Sequence, residues 1–260
     1  MPFFTFNMRV VFIGGGTIAK AIYEGLDSNH DVTVIKRNLE DEFWSGKVDL
    51  APAGEYVEGD LYIIAVKPFA FQKATEAFVG KEKTFVSVMA GVSLSKIRNY
   101  LETERIVRCM PNLPVAIGEG FIPYTALSEE AEKDFIEVFR PLGSIKATDE
   151  EYLDPLTALT GTSPLYVSVF IDALLDAGIK IGLPKEMARK AAVQCTIAGA
   201  RYLEEKGIHP MEFKDMVSSP AGTSIYALHN LEKSGVKAAL IDGVEVAYKR
   251  ALKLRAMQEE

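Results

Sequence analysis

The strongest constraint in the chain lies near its start, where Arg9-Val10-Val11-Phe12-Ile13 passes directly into Gly14-Gly15-Gly16-Thr17-Ile18-Ala19. A β-branched run followed by a G-x-G-x-x-A stretch and an amphipathic segment reads as strand, tight turn and helix, the helix over residues 18–26. Gly14 permits the turn, Gly16 leaves room for an anion against the backbone, and Ala19 lets helix and strand pack closely. Thr17 and Ile18 open the helix, whose free N–H groups and dipole favour negative charge. The predicted ligand is therefore the pyrophosphate of a dinucleotide.

Four further apolar runs, at residues 32–35, 61–66, 84–88 and 105–108, alternate with amphipathic stretches. That alternation predicts an α/β fold with a Rossmann-type, doubly wound parallel sheet. Beyond Asp149 the strand signal stops, and residues 165–177, 185–206, 222–233 and 236–257 read as helices punctuated by Gly or Pro. The predicted organisation is a dinucleotide-binding domain at 1–150 and an all-α substrate and dimerisation domain at 151–260. The first of these helices is apolar almost all round, which predicts burial on every side. So small a helical half needs cover it cannot supply alone, so a homodimer or higher homo-oligomer is expected.

Composition narrows the partners. The net charge of −7 in 260 residues, with no Lys/Arg block, argues against nucleic acid. Cys109 and Cys195 are too few and too far apart for a disulfide scaffold, and read as core thiols of a reducing compartment. No apolar run is read as approaching the roughly 20 residues of a membrane span, and residues 1–7 lack the basic lead of a signal peptide. A cytoplasmic protein without a membrane partner is expected. His30, His209 and His229 share no metal-ligand spacing, so no metal is assigned; His209 reads as loop and His229 as helix surface or interface.

The residue some 20 positions after the glycines distinguishes the dinucleotides, because an acid there binds the ribose 2′-hydroxyl of NAD. This sequence has Lys36-Arg37-Asn38, two cations with no acid among them. NADP (as NADPH) is expected, with NAD the alternative, and solvated strand-end charges remain the plainer reading of Lys36 and Arg37. The exits of the third and fourth strand runs, Ala65-Val66-Lys67-Pro68 and Met89-Ala90-Gly91, should face the same ligand, since open α/β sheets bind beyond the carboxyl ends of their strands.

These motifs, followed by Arg108-Cys109-Met110-Pro111-Asn112, Leu159-Thr160-Gly161, Gly182-Leu183-Pro184 and Ser218-Ser219-Pro220-Ala221-Gly222-Thr223-Ser224-Ile225, resemble the pyrroline-5-carboxylate reductase family in order and spacing over residues 8–254. The resemblance implies NAD(P)H-dependent reduction of a small cyclic imine carboxylate, 1-pyrroline-5-carboxylate to L-proline, by a Rossmann domain and a helical domain that interlocks with its partner subunit. Asn112 joins the implied cofactor residues. The last motif is the implied carboxylate loop, with Gly222, Thr223 and Ser224 binding substrate and Ser224 also the candidate proton donor. A plainer reading makes Ser219 or Thr223 a helix cap. The chain departs from the family where Ser-Gly-Ser-Gly-Pro-Ala becomes Thr160-Gly161-Thr162-Ser163-Pro164-Leu165, and where Ser224 and Met216 replace a usual Thr and an occasional Asn. Two alternatives stay open at this point. One is a β-hydroxyacid dehydrogenase-like oxidoreductase, which needs a lysine that residues 165–177 lack; the other is a nucleotide-binding regulatory homologue without turnover.

Overall fold

The computed structural model describes residues 7–259; the reading of the opening residues as no signal peptide falls mostly outside them. Contacts divide the chain into two compact units, one holding the residues up to Thr162 and those from Val246 onward, the other Ser163–Glu245. This division falls twelve residues after the expected boundary at 150 and returns the chain's end to the first unit. The reason is local. Asp154 and Glu150 pair with Arg108, Thr160 is held by Asn112, and Arg255 reaches Asp154 at 3.1 Å.

The first unit is built on eight strands: β1 Arg9–Ile13, β2 Asp31–Lys36, β3 Asp49–Pro52, β4 Leu61–Ile64, β5 Thr84–Ser87, β6 Ile106–Cys109, β7 Gly120–Ala126 and β8 Gly143–Ala147. They pair in the order β3-β2-β1-β4-β5-β6-β7-β8, parallel except for the antiparallel β6/β7 pair. Helices α1 Thr17–Gly25, α2 Phe71–Thr75, α3 Leu94–Leu101 and α4 Glu129–Phe139 connect them, and α5 Leu153–Leu156 follows β8. The apolar runs are continuous because both faces are buried: Val10 and Phe12 of β1 join one core cluster, Val11 and Ile13 the other.

Three of the eight strands have no counterpart among the sequence runs. β3 carries Asp49 and Pro52 and sits at one edge; β8 begins at Gly143 at the other edge and is largely exposed. β7 contains Pro123, a residue normally confined to edges or irregular positions, since it cannot donate to a ladder. Each forms because a neighbour supplies the ladder, a tertiary cause that a local reading cannot see.

In the second unit α6 Ser163–Lys180, α7 Lys185–Lys206, α8 Pro210–Met216 and α9 Thr223–Lys233 lead into α10 Val236–Glu259. α6 and α7 cross closely on small residues: a Cβ on Gly178 would stand 2.8 Å from that of Ala188. His209, expected in a loop, caps α8 through Nδ1, which accepts the Met211 N–H at 3.2 Å. Cys195 is exposed on α7, unlike Cys109, so only the latter is a core thiol.

The expectation that the first of these helices is buried on every side is not met within one chain, where Gly178 is the one buried residue of α6. The reading that no apolar run is long enough for a membrane also needs correction. The helical stretch Glu150–Lys180 contains an 18-residue window of mean hydropathy 1.4, long and apolar enough to cross one, and only 6% of it is buried. Asp172 and Asp176 interrupt the apolar surface of α6.

Candidate dinucleotide site and anion loop

The strand order changes direction between β1 and β4, and ligands of open α/β sheets bind at such a switch point. The first two motifs meet there. Gly14 adopts φ +104°, and a Cβ on it would lie 2.6 Å from the Ala65 carbonyl oxygen and 2.9 Å from Val66 Cγ1, so the turn can lie on the exit of β4 only as glycine. Its N–H donates to the Ile35 carbonyl at 2.9 Å, tying the turn to β2 as well.

Gly16 is the N-cap of α1, with no side-chain cap, and a Cβ there would meet nothing within 4 Å. Thr17 is exposed beside it, while Ala19 is fully buried where helix meets sheet. An uncapped helix start with no acid in its first turn, opening onto space, suits a phosphate group. Lys67 and Pro68 continue from β4 into a 3-10 turn, Lys67 exposed. Ala90 and Gly91 leave β5, Gly91 at φ +73° and packed against the backbone of Arg255.

Two expected cofactor residues have other engagements. The Asn112 side chain donates to the Thr160 carbonyl at 3.1 Å and accepts the Phe121 N–H at 3.0 Å, so its amide is a brace between β7 and the segment after α5. Lys36 is not clear of acids: its ammonium lies 2.5 Å from Asp41, which Lys20 of α1 also meets at 3.0 Å. These hydrogen bonds pull the Asp41 carboxyl down to about 2. Arg37 is exposed and forms no ion pair among the described residues.

Sequence reasoning missed Asp41 and Trp44. The second is the chain's single tryptophan, fully buried, and its indole N–H donates to the Gly15 carbonyl at 3.2 Å. An acid five residues after a strand-end lysine, three before a lone tryptophan, was the available signal.

Within the second unit, the loop before α9 has the form expected of an anion seat. Gly222 is its N-cap with no side-chain hydrogen bond, so neither Ser219 nor Thr223 caps the helix. A Cβ on Gly222 would fall 2.3 Å from Ser219 Oγ and 3.2 Å from the Ser219 carbonyl oxygen, so a side chain there would have to turn the serine hydroxyl away. The preceding Ala221 holds φ +59°, a left-handed conformation that costs a non-glycine residue about 1 kcal/mol or more. Thr223 and Ser224 are exposed at the free N–H groups of the first turn, and Met216, exposed, ends α8.

The changed stretch 160–165 begins in a π-helical turn, Thr157–Gly161, and runs into α6, where Ser163 and the exposed Leu165 stand in the first turn. The hydroxyls of Thr157, Thr160 and Thr162 donate to the carbonyls of Leu153, Leu156 and Ala158, four residues back, so all three are spent within the turn. Lys180 proves to be the last residue of α6, and the body of that helix has no lysine to serve as a hydroxyacid dehydrogenase base. Among the described residues no cluster of His, Cys, Asp or Glu could hold a metal.

The fold and site thus define a dinucleotide-binding oxidoreductase with a helical companion unit. Comparison with known proteins makes this specific. Residues 150–254 match the family described as pyrroline-5-carboxylate reductase dimerisation, and residues 9–91 match NADP oxidoreductase, coenzyme F420-dependent. Pyrroline-5-carboxylate reductase of Arabidopsis thaliana is 35% identical over 95% of this chain and 96% of its own, and that of Thermus thermophilus 33% over 95% and 98%. The crystal structure of 1-pyrroline-5-carboxylate reductase from Streptococcus pyogenes is 30% identical, with a TM-score of 0.84 over 94% of this chain and 98% of that one. A Plasmodium falciparum pyrroline carboxylate reductase with NADP bound shares the fold at TM-score 0.85, 24% identity, and coverage of 96% and 98%. The chain belongs to the pyrroline-5-carboxylate reductase family.

Proposed function

We propose that the chain reduces 1-pyrroline-5-carboxylate to L-proline with NADPH, in the cytoplasm, as a homodimer or larger homo-oligomer. The observation that carries this reading is family membership over nearly the whole length, joined to a glycine turn packed on the exit of β4 as a Rossmann nucleotide site requires. NADP is favoured by the exposed cation Arg37 beside Lys36, and by the NADP bound to the Plasmodium relative. The cytoplasmic assignment rests on two free cysteines, and the oligomer on the dimerisation family matched by the helical half.

Each residue then has a task. Gly14 and Gly16 admit the pyrophosphate to the start of α1, Thr17 and Ile18 present their backbone to it, and Ala65, Val66, Lys67, Pro68, Ala90 and Gly91 line the strand exits beside it. The cofactor supplies a hydride when bound. The chain's part is to hold the imine carboxylate on the hydroxyls and N–H groups of Thr223 and Ser224, with Gly222 keeping the loop close, and to let Ser224 Oγ supply the proton that the ring nitrogen takes up.

Removing one charge-assisted contact should cost roughly 1.5–3 kcal/mol, tenfold to a hundredfold in kcat/KM. Ser224→Ala should lower kcat if the hydroxyl is the proton source, whereas Thr223→Ala should act mainly through KM. Thermal melts control for folding. Unchanged turnover of pyrroline-5-carboxylate in both variants would remove the loop from the site.

A further inference from the structure

Lys20, Lys36 and Asp41 form one connected set at the end of β2, with Arg37 outside it. The stem of Lys36 runs beside the glycine turn, since a Cβ on Gly15 would lie 3.4 Å from Lys36 Cδ and 2.8 Å from Trp44 Nε1. The Lys36 side chain is only 11% exposed, and its ammonium is bound to Asp41 Oδ2. Asp41 Oδ1 accepts from Lys20 and from the Phe43 N–H, each at 3.0 Å. One carboxylate therefore engages both ammonium groups beside the pyrophosphate turn, as a phosphate oxygen would.

We propose that Asp41 determines how strongly the site discriminates NADPH from NADH, as a resident counter-ion that a 2′-phosphate must displace from Lys36. This rests on Lys36 and Arg37 being the 2′-phosphate seat. A phosphate carries about −1.5 to −2 charge against −1 for the carboxylate, so the exchange is favourable but smaller than binding to an unpaired lysine. Arg37 makes the uncontested contact, and Lys36 adds only the difference between its two partners. When no 2′-phosphate is present, Asp41 offsets one of the two lysine charges, so Lys36 is not left unpaired beside the unphosphorylated cofactor.

Asp41→Asn tests this, because it removes the charge while keeping the size and the acceptor for the Phe43 N–H. Trp44 gives a readout without turnover: the only tryptophan in the chain hydrogen bonds to Gly15, so its fluorescence should follow occupancy of the turn. Titration with 2′,5′-ADP should show about two- to fivefold tighter binding in Asp41→Asn, the size of a partly exposed ion pair, with 5′-AMP, which lacks only the 2′-phosphate, changed less. The ratio of kcat/KM for NADPH over NADH should rise likewise, through KM, and Asp41→Glu should restore the parent ratio. A ratio measured on one preparation cancels any loss of folded protein. An unchanged ratio, or a shift toward NADH, overturns the proposal; the latter would make Asp41 a positioning residue that aims Lys36. If the parent binds the two adenine nucleotides equally and Lys36→Ala and Arg37→Ala change nothing, the phosphate seat lies elsewhere and both readings fall. A preference abolished by those two variants but untouched in Asp41→Asn overturns this proposal alone.

Discussion

The two units of this chain solve the burial problem differently. In the first, β4, β5 and β6 are buried at every position, and two clusters of large side chains fill both faces of the sheet. In the second, α6 buries one glycine, α7 two alanines and α9 nothing, while Leu165 and Phe170 are more than half exposed. A sheet with helices on each side closes its own core. A set of helices with apolar residues around much of its surface has a core only once another surface meets it, which is what the proposed homo-oligomer provides.

Paired substitutions test that contrast most severely. Phe135 is fully buried, stacked on Phe139 at 4.5 Å and against Tyr124 at 4.7 Å, so Phe135→Ala should cost about 3–5 kcal/mol in urea unfolding at any protein concentration. Phe170→Ala should instead act through assembly, with unfolding and sedimentation that depend on concentration. Equal, concentration-independent losses in both would erase the distinction between the units.

A comparable effect is expected where charge is buried. Arg108 is 1% exposed and bonded to Glu150 at 3.0 Å and Asp154 at 2.7 Å. Arg108→Met leaves Glu150 without its guanidinium and the buried Asp154 with Arg255 alone, and should cost about 3 kcal/mol, whereas the double change Arg108→Met with Asp154→Leu should recover part of it. No recovery would mean that the arginine packs rather than pairs.

The smallest effect concerns acid. Asp41 has its pKa held at about 2 by its lysines, so its stabilising contribution is present above the unfolded-state value of roughly 3.9 and fades as pH falls toward 2. Asp41→Asn lacks this contribution throughout, so the difference in Tm between parent and variant should shrink over that interval. A constant difference would show that the pair contributes nothing to stability.

What could be read in advance follows the same division. Strands buried on both faces announce themselves as apolar runs, and the glycine motif declares a backbone need that no side chain can meet. β3, β7 and β8 could not be read, because Pro52, Pro123 and Gly143 argue locally against strands that pairing then imposes. Lys36 was legible as a cation but not as a paired one, since Asp41 reaches it only after the chain turns back. The apolar character of α6 was legible too, and with it the need for cover from outside the helical half; how little of that helix one chain buries by itself was not, because packing within a chain follows from the positions of α7 to α10 and not from local apolarity.

The return of the chain to the first unit from Val246, within α10, fixed by Arg255 on Asp154 and by its backbone against Gly91, gives the chain the topology of a domain insertion rather than of beads on a string. No single cut separates the two units. Cleavage after Thr162 would leave the nucleotide half without its final turns and Asp154 with one guanidinium in place of two. Excising residues 163–245 and rejoining the ends is the operation that would leave the first unit complete.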